Sequence, residues 1–168
     1  FSRQTTGAWV QTQRLVASDR DVYDYFSLDI AFDGNTLVIG SMGAGGTKGA
    51  AYVFTLQAGK LTETQKLTAV DGATGDRFGN SVAVHGDTLV VGAYGHQRYH
   101  GAAYIFSLQD GTWMQTDKLM ALDKAKAAGF GNAVAVSPGL IAVSAWRHNQ
   151  GESEVGAVYV YTPDTSGN

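Results

Sequence analysis

Residues 75–95 read GDRFGNSVAVHGDTLVVGAYG, and this stretch decides the fold. Its glycines resemble those of a phosphate-binding loop, but the Phe at position 78 is not isolated. Phe26, Phe78 and Phe130 follow one another at intervals of 52 residues. A phosphate loop has no need to recur at a fixed interval, whereas a structural repeat does. We therefore interpret Phe78 as a core anchor at the start of a strand and Gly79 as a position of close backbone approach.

The same interval recurs along nearly the whole chain. GAAYVF at residue 49 returns as GAAYIF at 101 and as GAVYVY at 156, where an insertion near HNQGESEV lengthens the last interval. The other markers at this spacing are Leu15, Leu67 and Leu119, and Asp19, Asp71 and Asp123. We predict one domain over residues 1–168, with three repeats at about 9–60, 61–112 and 113–162 and a C-terminal tail at 163–168.

Each repeat carries four strand signals. The first three are a strand after the Phe (SLDIAF, NSVAV, NAVAV), a β-branched run (TLVIGS, TLVVGA, LIAVSA) and the GAAYVF type. The fourth alternates polar and apolar residues (WVQTQRL, LTETQKL, WMQTDKL). Tight hairpins are predicted at Asp33-Gly34, His85-Gly86 and Pro138-Gly139. This predicts an all-β chain with buried inner strands and a half-exposed outer strand.

Composition excludes several classes of function. Charged residues make up only 16% of the chain and the formal net charge is -3, which argues against a disordered segment and a nucleic-acid surface. No run approaches the length of a membrane-spanning helix, so we expect no membrane insertion. The chain has no cysteine, which excludes disulfides and thiolate metal sites.

The joint pattern resembles the FG-GAP repeat of integrin-α-type β-propellers. The matching elements are Phe-Gly, the Val-Val-Gly-Ala run, Gly-Ala-x-Tyr-x-Phe and Trp-x-Gln-x-x-Lys-Leu over residues 9–162. Two features depart from the family: Phe26-Ser27 replaces Phe-Gly, and the Pro of the family name is replaced by Met42, Tyr94 and Trp146. The resemblance implies four-stranded propeller blades and an extracellular or secreted protein. We do not carry over the family's calcium site, because the loop between strands one and two has at most two acidic residues here, whereas calcium takes six to eight oxygen ligands.

Three blades are fewer than a propeller needs to close. The chain begins on an outer strand, residues 9–15, and ends on an inner set at Tyr161. We therefore expect the ring to be completed by another copy of the chain, as a six-bladed homodimer, or by a partner chain; the alternative is a piece of a longer propeller. A β-trefoil, which also has three repeats of four strands, is the rival fold.

The candidate site lies in the loops that join strands two and three, at residues 42–49, 94–101 and 146–156. In the resembling family these loops share a face with the loops from strand four to the next strand one, and that face usually binds ligands. Aromatic faces beside arginine suit sugars, carboxylates or an acidic protein segment. The predicted ligand-binding residues are Tyr94, His96, Arg98, Tyr99, His100, Trp146, Arg147 and His148.

Two cation-binding alternatives are weaker. His96, His100 and His148 could supply three nitrogen ligands to zinc, but spacing on a loop does not fix their positions. A second set of acidic residues lies in the loops from strand four to the next strand one, where they more simply close turns into the next blade. These residues are Asp19, Asp71 and Asp123 with Asp21, Asp24 and Asp76. In the third repeat the Lys124–Lys126 run interrupts this acidic pattern. We predict no metal and no cofactor.

The sequence therefore favours a non-catalytic recognition module for a carbohydrate or an acidic protein partner. The alternatives are a structural subunit of a larger assembly and a glycan lyase or hydrolase acting at the loop face. The sequence contains no recognisable motif of a nucleophile with its base, so we predict no catalytic residue.

Overall fold

The computed structural model describes residues 2–3, 7–123, 129–148 and 155–163. The predicted tail lies outside the described residues from position 164 onward, as do most of the insertion (149–154) and the Lys124–Lys126 run. Neither of the two short helices in the described ranges could cross a bilayer.

Three antiparallel sheets follow one another along the described residues. Each takes its first three strands from one repeat, and in the first two sheets the fourth strand is the outer strand that opens the next repeat. The first sheet contains β3 (Phe26–Asp33), β4 (Thr36–Ser41), β5 (Ala50–Gln57) and β6 (Lys60–Leu67). The second contains β7 (Ser81–His85), β8 (Thr88–Ala93), β9 (Ala102–Gln109) and β10 (Thr112–Leu119). The third contains β11 (Phe130–Ser137), β12 (Leu140–Ala145) and β13 (Ala157–Tyr161). The helices are α1 (Ala44–Thr47) and α2 (His96–Tyr99), between the second and third strands of the first two sheets.

This arrangement confirms the all-β fold and the three repeats. Within each sheet the strands pair in chain order, and the register is shared: Ser41 faces Ala50, Ala93 faces Ala102, and Ala145 faces Ala157. The described strands form separate sheets that each pair in chain order, and not the single closed barrel of a β-trefoil. Closure into a propeller ring remains a prediction.

The prediction of an outer strand over residues 9–15 was wrong about its length. Only β2 (Trp9–Val10) is a strand there, and it pairs with β1 (Ser2–Arg3). The corresponding strands β6 and β10 each pair with the last inner strand of the preceding repeat. Among the described residues no such inner strand precedes residues 11–15, so the alternating pattern is present there without a ladder.

The recurring Phe anchors each sheet as predicted. Phe78 is fully buried, and its ring packs edge-on against Tyr104 at 5.4 Å and Phe106 at 6.0 Å. Phe26 and Phe130 pack in the same way against two aromatic residues of β5 and β13. Edge-to-face pairs add about 0.5–1.5 kcal/mol to the burial of the rings, which explains the fixed position of this residue.

Glycines bring neighbouring sheets into backbone contact, also as predicted. A β-carbon on Gly92 would lie 2.0 Å from the carbonyl oxygen of Gly131 in the third sheet. One on Gly79 would lie 2.0 Å from the carbonyl oxygen of Ala50 in the first sheet, and one on Gly101 would lie 1.9 Å from that of Phe130. The sheets therefore stack side by side so closely that no side chain fits between them at these positions.

Candidate ligand-binding loop face

Two kinds of loop meet on one side of the stack. The upper loops, residues 42–49, 94–101 and 146–156, join the second and third strands of each sheet. The lead-in loops, residues 18–25, 70–77 and 122–129, precede the first strand. The Gly43 amide donates to the carbonyl of Asp24 at 3.0 Å, and the Gly95 amide donates to that of Asp76 at 3.1 Å. In the first two sheets the two kinds of loop therefore share one face.

The upper loop of the second sheet has three consecutive left-handed residues, none of which is glycine. Gln97, Arg98 and Tyr99 have φ angles of 48°, 59° and 71°. In the first sheet the same positions are Gly45, Gly46 and Thr47, so that loop holds two of the three left-handed positions with glycine. Left-handed backbone is unfavourable for side-chain-bearing residues, by about 1–2 kcal/mol each.

Backbone carbonyl groups of the upper loop in the second sheet accept hydrogen bonds from the start of the next sheet. The Tyr99 carbonyl accepts from the Gly129 amide at 2.9 Å, and the His100 carbonyl accepts from the Phe130 amide at 3.3 Å. The carbonyls of Thr47 and Lys48 accept from Arg77 and Phe78 in the same way. Each upper loop thus clamps the start of the following sheet, which offsets the unfavourable backbone.

The recurring aspartates bond to tyrosines of the following sheet. Asp19, Asp71 and Asp123 each accept a hydrogen bond from a Tyr hydroxyl at 2.8–2.9 Å. The tyrosines are the recurring Tyr52, Tyr104 and Tyr159 of the Gly-Ala-x-Tyr signal. Burial, together with the bond to Asp123, raises the pKa of Tyr159 to about 12.

Lysines complete the first two of these pairs. Lys66 Nζ lies 2.5 Å from Asp19, and Lys118 Nζ lies 2.6 Å from Asp71. The bond from Lys66 is the main reason that the pKa of Asp19 is lowered. Of the six aspartates predicted to close turns, Asp24 and Asp76 do so: Asp24 accepts from the Asp21 amide at 2.7 Å and Asp76 accepts from the Ala73 amide at 3.0 Å.

His96 is a buried member of this network and not an exposed loop residue. Its ring is buried, and Nδ1 donates to Asp76 Oδ2 at 2.8 Å. Nε2 then accepts from Lys118 Nζ at 2.7 Å, an assignment that follows from the acceptor nature of the carboxylate. His148 occupies the same place in the third sheet, where Nδ1 lies 3.0 Å from the Tyr159 hydroxyl.

Arg77, which the sequence analysis did not single out, contacts two tyrosines of the upper loop. Its guanidinium lies over the rings of Tyr94 at 5.0 Å and Tyr99 at 5.6 Å, and it donates to the Tyr94 hydroxyl. The two rings lie 6.0 Å apart. Cation–π contacts with two rings fix the guanidinium in one place. We call Arg77, Tyr94 and Tyr99 the Arg77 cluster.

Arg77 and Tyr99 of this cluster line a surface cavity of about 420 Å³. Arg98, the loop segment 73–76 and His96 also line it, and of these Asp76 and His96 are buried. A second cavity of about 580 Å³ lies at the first sheet, but its lining has Lys66 and three aspartates, Asp19, Asp21 and Asp24. Of the two cavities, the one lined by Arg77 and Arg98 is therefore the one that presents arginine side chains.

The structure brings only part of the predicted site together. Tyr94, Tyr99 and Arg98 lie at the Arg77 cluster, whereas His96 is a core residue. The His100 ring donates to the carbonyl of Gln97 at 2.7 Å. On the third sheet, Arg147 stacks on Trp146 at 4.3 Å beside His148. No metal-holding group of three or more His, Asp or Glu side chains occurs among the described residues, so the proposed zinc triad is not assembled there.

Asp71 gives the network a pH dependence that can be measured. Burial alone would raise the pKa of Asp71, but hydrogen bonds from Lys118 and Tyr104 outweigh it and lower the pKa. A carboxyl with a lowered folded-state pKa stabilises the fold above its ordinary value of 3.8 and loses that effect as the pH falls below it.

We therefore expect Asp71→Asn to lower the free energy of unfolding by about 1 kcal/mol near neutral pH, with a difference that shrinks below about pH 4. The small magnitude reflects a side chain that is 48% exposed. Urea unfolding of both proteins across this pH range measures it. Asp110→Asn, in an exposed hairpin, controls for the loss of one negative charge, and a difference that is independent of pH would contradict the assignment.

Comparison with known families agrees with this geometry. The FG-GAP repeat family matches three segments, residues 9–54, 61–106 and 113–161. No match was found among curated proteins. Each segment runs from one outer-strand signal to the third strand of the sheet that follows it, and so contains both members of one Asp–Tyr pair. On sequence match, sheet order and recurring contacts, the chain belongs to the FG-GAP repeat family, whose domains are generally binding modules.

Proposed function

We propose that this FG-GAP repeat protein is a non-catalytic recognition module whose Arg77 cluster binds a carboxylate-bearing ligand, either an acidic glycan or an acidic protein segment. The observation that supports this is the guanidinium of Arg77, held by two aromatic rings at the wall of a 420 Å³ cavity beside Arg98. A fixed guanidinium loses little freedom when it binds a planar carboxylate. An extracellular setting, implied by the resemblance to integrin-type propellers, belongs to the same proposal.

The aromatic residues contribute to the proposed site in a second way. Tyr99 is 41% exposed, and its ring lies next to that of Tyr94. An exposed ring beside a cation can pack against the apolar face of a sugar or against an aliphatic side chain. The cavity thus offers a charged contact and an apolar contact side by side, from two different loops. On the third sheet, the stacked Trp146 and Arg147 offer a similar pair, and we include them in the proposed face.

Binding is tested with two probes, a hexaglutamate peptide and a glucuronate-containing oligosaccharide, by titration calorimetry. We expect at least one to bind and Arg77→Ala to weaken it about tenfold or more, since a charge-assisted hydrogen bond contributes about 1.5–3 kcal/mol. Arg98→Ala should weaken it less, because no ring contact fixes Arg98 in the described structure. Arg77→Lys keeps the charge but not the planar fork, and should recover only part of the affinity.

The matched control is Arg14→Ala, which removes an exposed arginine outside the upper loops. Its affinity should equal that of the wild type at the same ionic strength. Failure of both probes to bind, or equal losses in the Arg14 and Arg77 variants, would rule out the Arg77 cluster as the site.

A second proposal, a structural role in a larger assembly, is supported by the two end sheets. Ile30 on β3 is 62% exposed, whereas Val82, its counterpart in the second sheet, is 4% exposed. Val160 on β13 is 65% exposed, whereas its counterpart Val53 is 1% exposed. Both end faces therefore present apolar residues at positions that are buried between sheets elsewhere, and we propose that another copy or a partner chain covers them. Catalysis at the loop face is not proposed, because no observation favours it.

A further inference from the structure

The two internal interfaces of the stack depend on the same glycines. Between the first and second sheets, a β-carbon on Gly40 would lie 2.0 Å from the Gly79 carbonyl oxygen. Between the second and third sheets, one on Gly92 would lie 2.0 Å from that of Gly131. The contact is reciprocal, because a β-carbon on Gly131 would lie 2.1 Å from the carbonyl oxygen of Ala102. Each interface thus needs one glycine from each sheet.

Both open faces of the stack carry a serine at these positions. Ser144 follows Gly92 by 52 residues, and it pairs with Val158 as Gly92 pairs with Ala103. Ser27 precedes Gly79 by the same interval. Its φ of 74° is close to the 85° of Gly79, so the backbone there keeps the glycine conformation although a side chain is present.

We infer that Ser27 and Ser144 are steric stops that prevent two copies of this chain from stacking head to tail in the way its own sheets stack. In such a contact the β-carbon of Ser144 would meet the carbonyl oxygen of Ser27 of the second copy. The β-carbon of Ser27 would in turn meet the carbonyl oxygen of Ala157, the counterpart of Ala50 and Ala102. Both approaches would be near the 2.0 Å of the internal glycines, far inside van der Waals contact.

The apolar end faces make such stops useful. Phe32 on β3 and Val158 on β13 are each more than half exposed, so each face offers the other an apolar surface. A head-to-tail contact of this kind leaves the same two faces free on every added copy, and it either closes a ring or continues as a filament. If a second copy covers these faces, as in the structural role proposed above, it must do so in a different packing geometry. The inference is independent of the ligand of the Arg77 cluster.

The test compares self-association of the full chain in three forms by sedimentation velocity over a concentration series. Ser27→Gly with Ser144→Gly removes both β-carbons, and we expect it to associate at least about tenfold more tightly than the wild type. Ser27→Ala with Ser144→Ala removes both hydroxyls but keeps the β-carbons, and it should behave as the wild type does.

Adding Ile30→Lys to the glycine variant should abolish the new association, because it places a charge on the face that would be buried. Circular dichroism confirms that all variants are folded, and Ser144→Gly alone provides a single-site version that relieves one of the two clashes. Equal association of the glycine and alanine variants would overturn the inference. So would a gain that survives the Ile30→Lys change.

Discussion

Replacing Gly92 by serine is expected to lower the free energy of unfolding by about 3 kcal/mol. The new β-carbon would lie 2.0 Å from the carbonyl oxygen of Gly131, so the second and third sheets must separate by more than an ångström at this point. That oxygen belongs to the backbone of the sheet, so no flexible side chain can move aside. Gly92→Ala should cost nearly as much, because the β-carbon and not the hydroxyl makes the clash.

The matched control is the reverse change at the corresponding position of the third sheet. Ser144→Gly loses one hydrogen bond, in which Ser144 Oγ accepts from the Ala133 amide at 2.9 Å, and gains backbone freedom in the unfolded chain. We expect it to cost about 1 kcal/mol. Urea unfolding of the wild type and of the Gly92→Ser, Gly92→Ala and Ser144→Gly variants gives the comparison. Equal costs for Gly92→Ser and Ser144→Gly would show that the sheets do not need the close approach.

Recurrence explains why the fold was predictable from one sequence. Three imperfect copies of a unit act as an internal alignment, and residues that recur in two or all three copies mark what the packing of the units needs. Phe78 and its counterparts proved to be ring-packed anchors, and the glycines at positions 79, 92 and 101 proved to be contact points between sheets. The same reasoning failed at residues 9–15, where the pattern is present but the partner strand is not.

The site was harder to predict because it depends on what differs between repeats. Arg77 corresponds to Tyr25 and Gly129, so recurrence does not mark it. His96 corresponds to Ala44 and His148, and its position in a loop suggested exposure although the ring is buried. The recurring Asp, Tyr and Lys were visible in the sequence, but which of them bond to one another depends on how the lead-in loop folds against the sheet. Of the predicted residues, His96, Arg98 and Tyr99 line this cavity, and Tyr94 packs against Arg77 beside it.

The buried pair of Asp76 and His96 carries the second large expected effect. Asp76→Ala should lower the free energy of unfolding by about 3 kcal/mol, because it leaves a buried ring nitrogen and the Ala73 amide without their acceptor. Both side chains are 6% exposed, so water cannot readily replace the carboxylate. Lys118 Nζ bonds to the other nitrogen of the His96 ring, so the position of its ammonium group is also less well fixed once Asp76 no longer holds that ring.

The first sheet offers the matched control, because Asp24 closes the same turn but Ala44 stands where His96 does. Asp24→Ala should therefore cost about 1 kcal/mol, the value of the turn bond alone. In a His96→Ala background, Asp76→Ala should fall to a similar cost, so that the double-mutant cycle gives a coupling energy of about 1.5–2 kcal/mol. A coupling below about 0.5 kcal/mol would mean that the carboxylate stabilises the turn and not the histidine, and that His96 is held by Lys118 and Tyr104 instead.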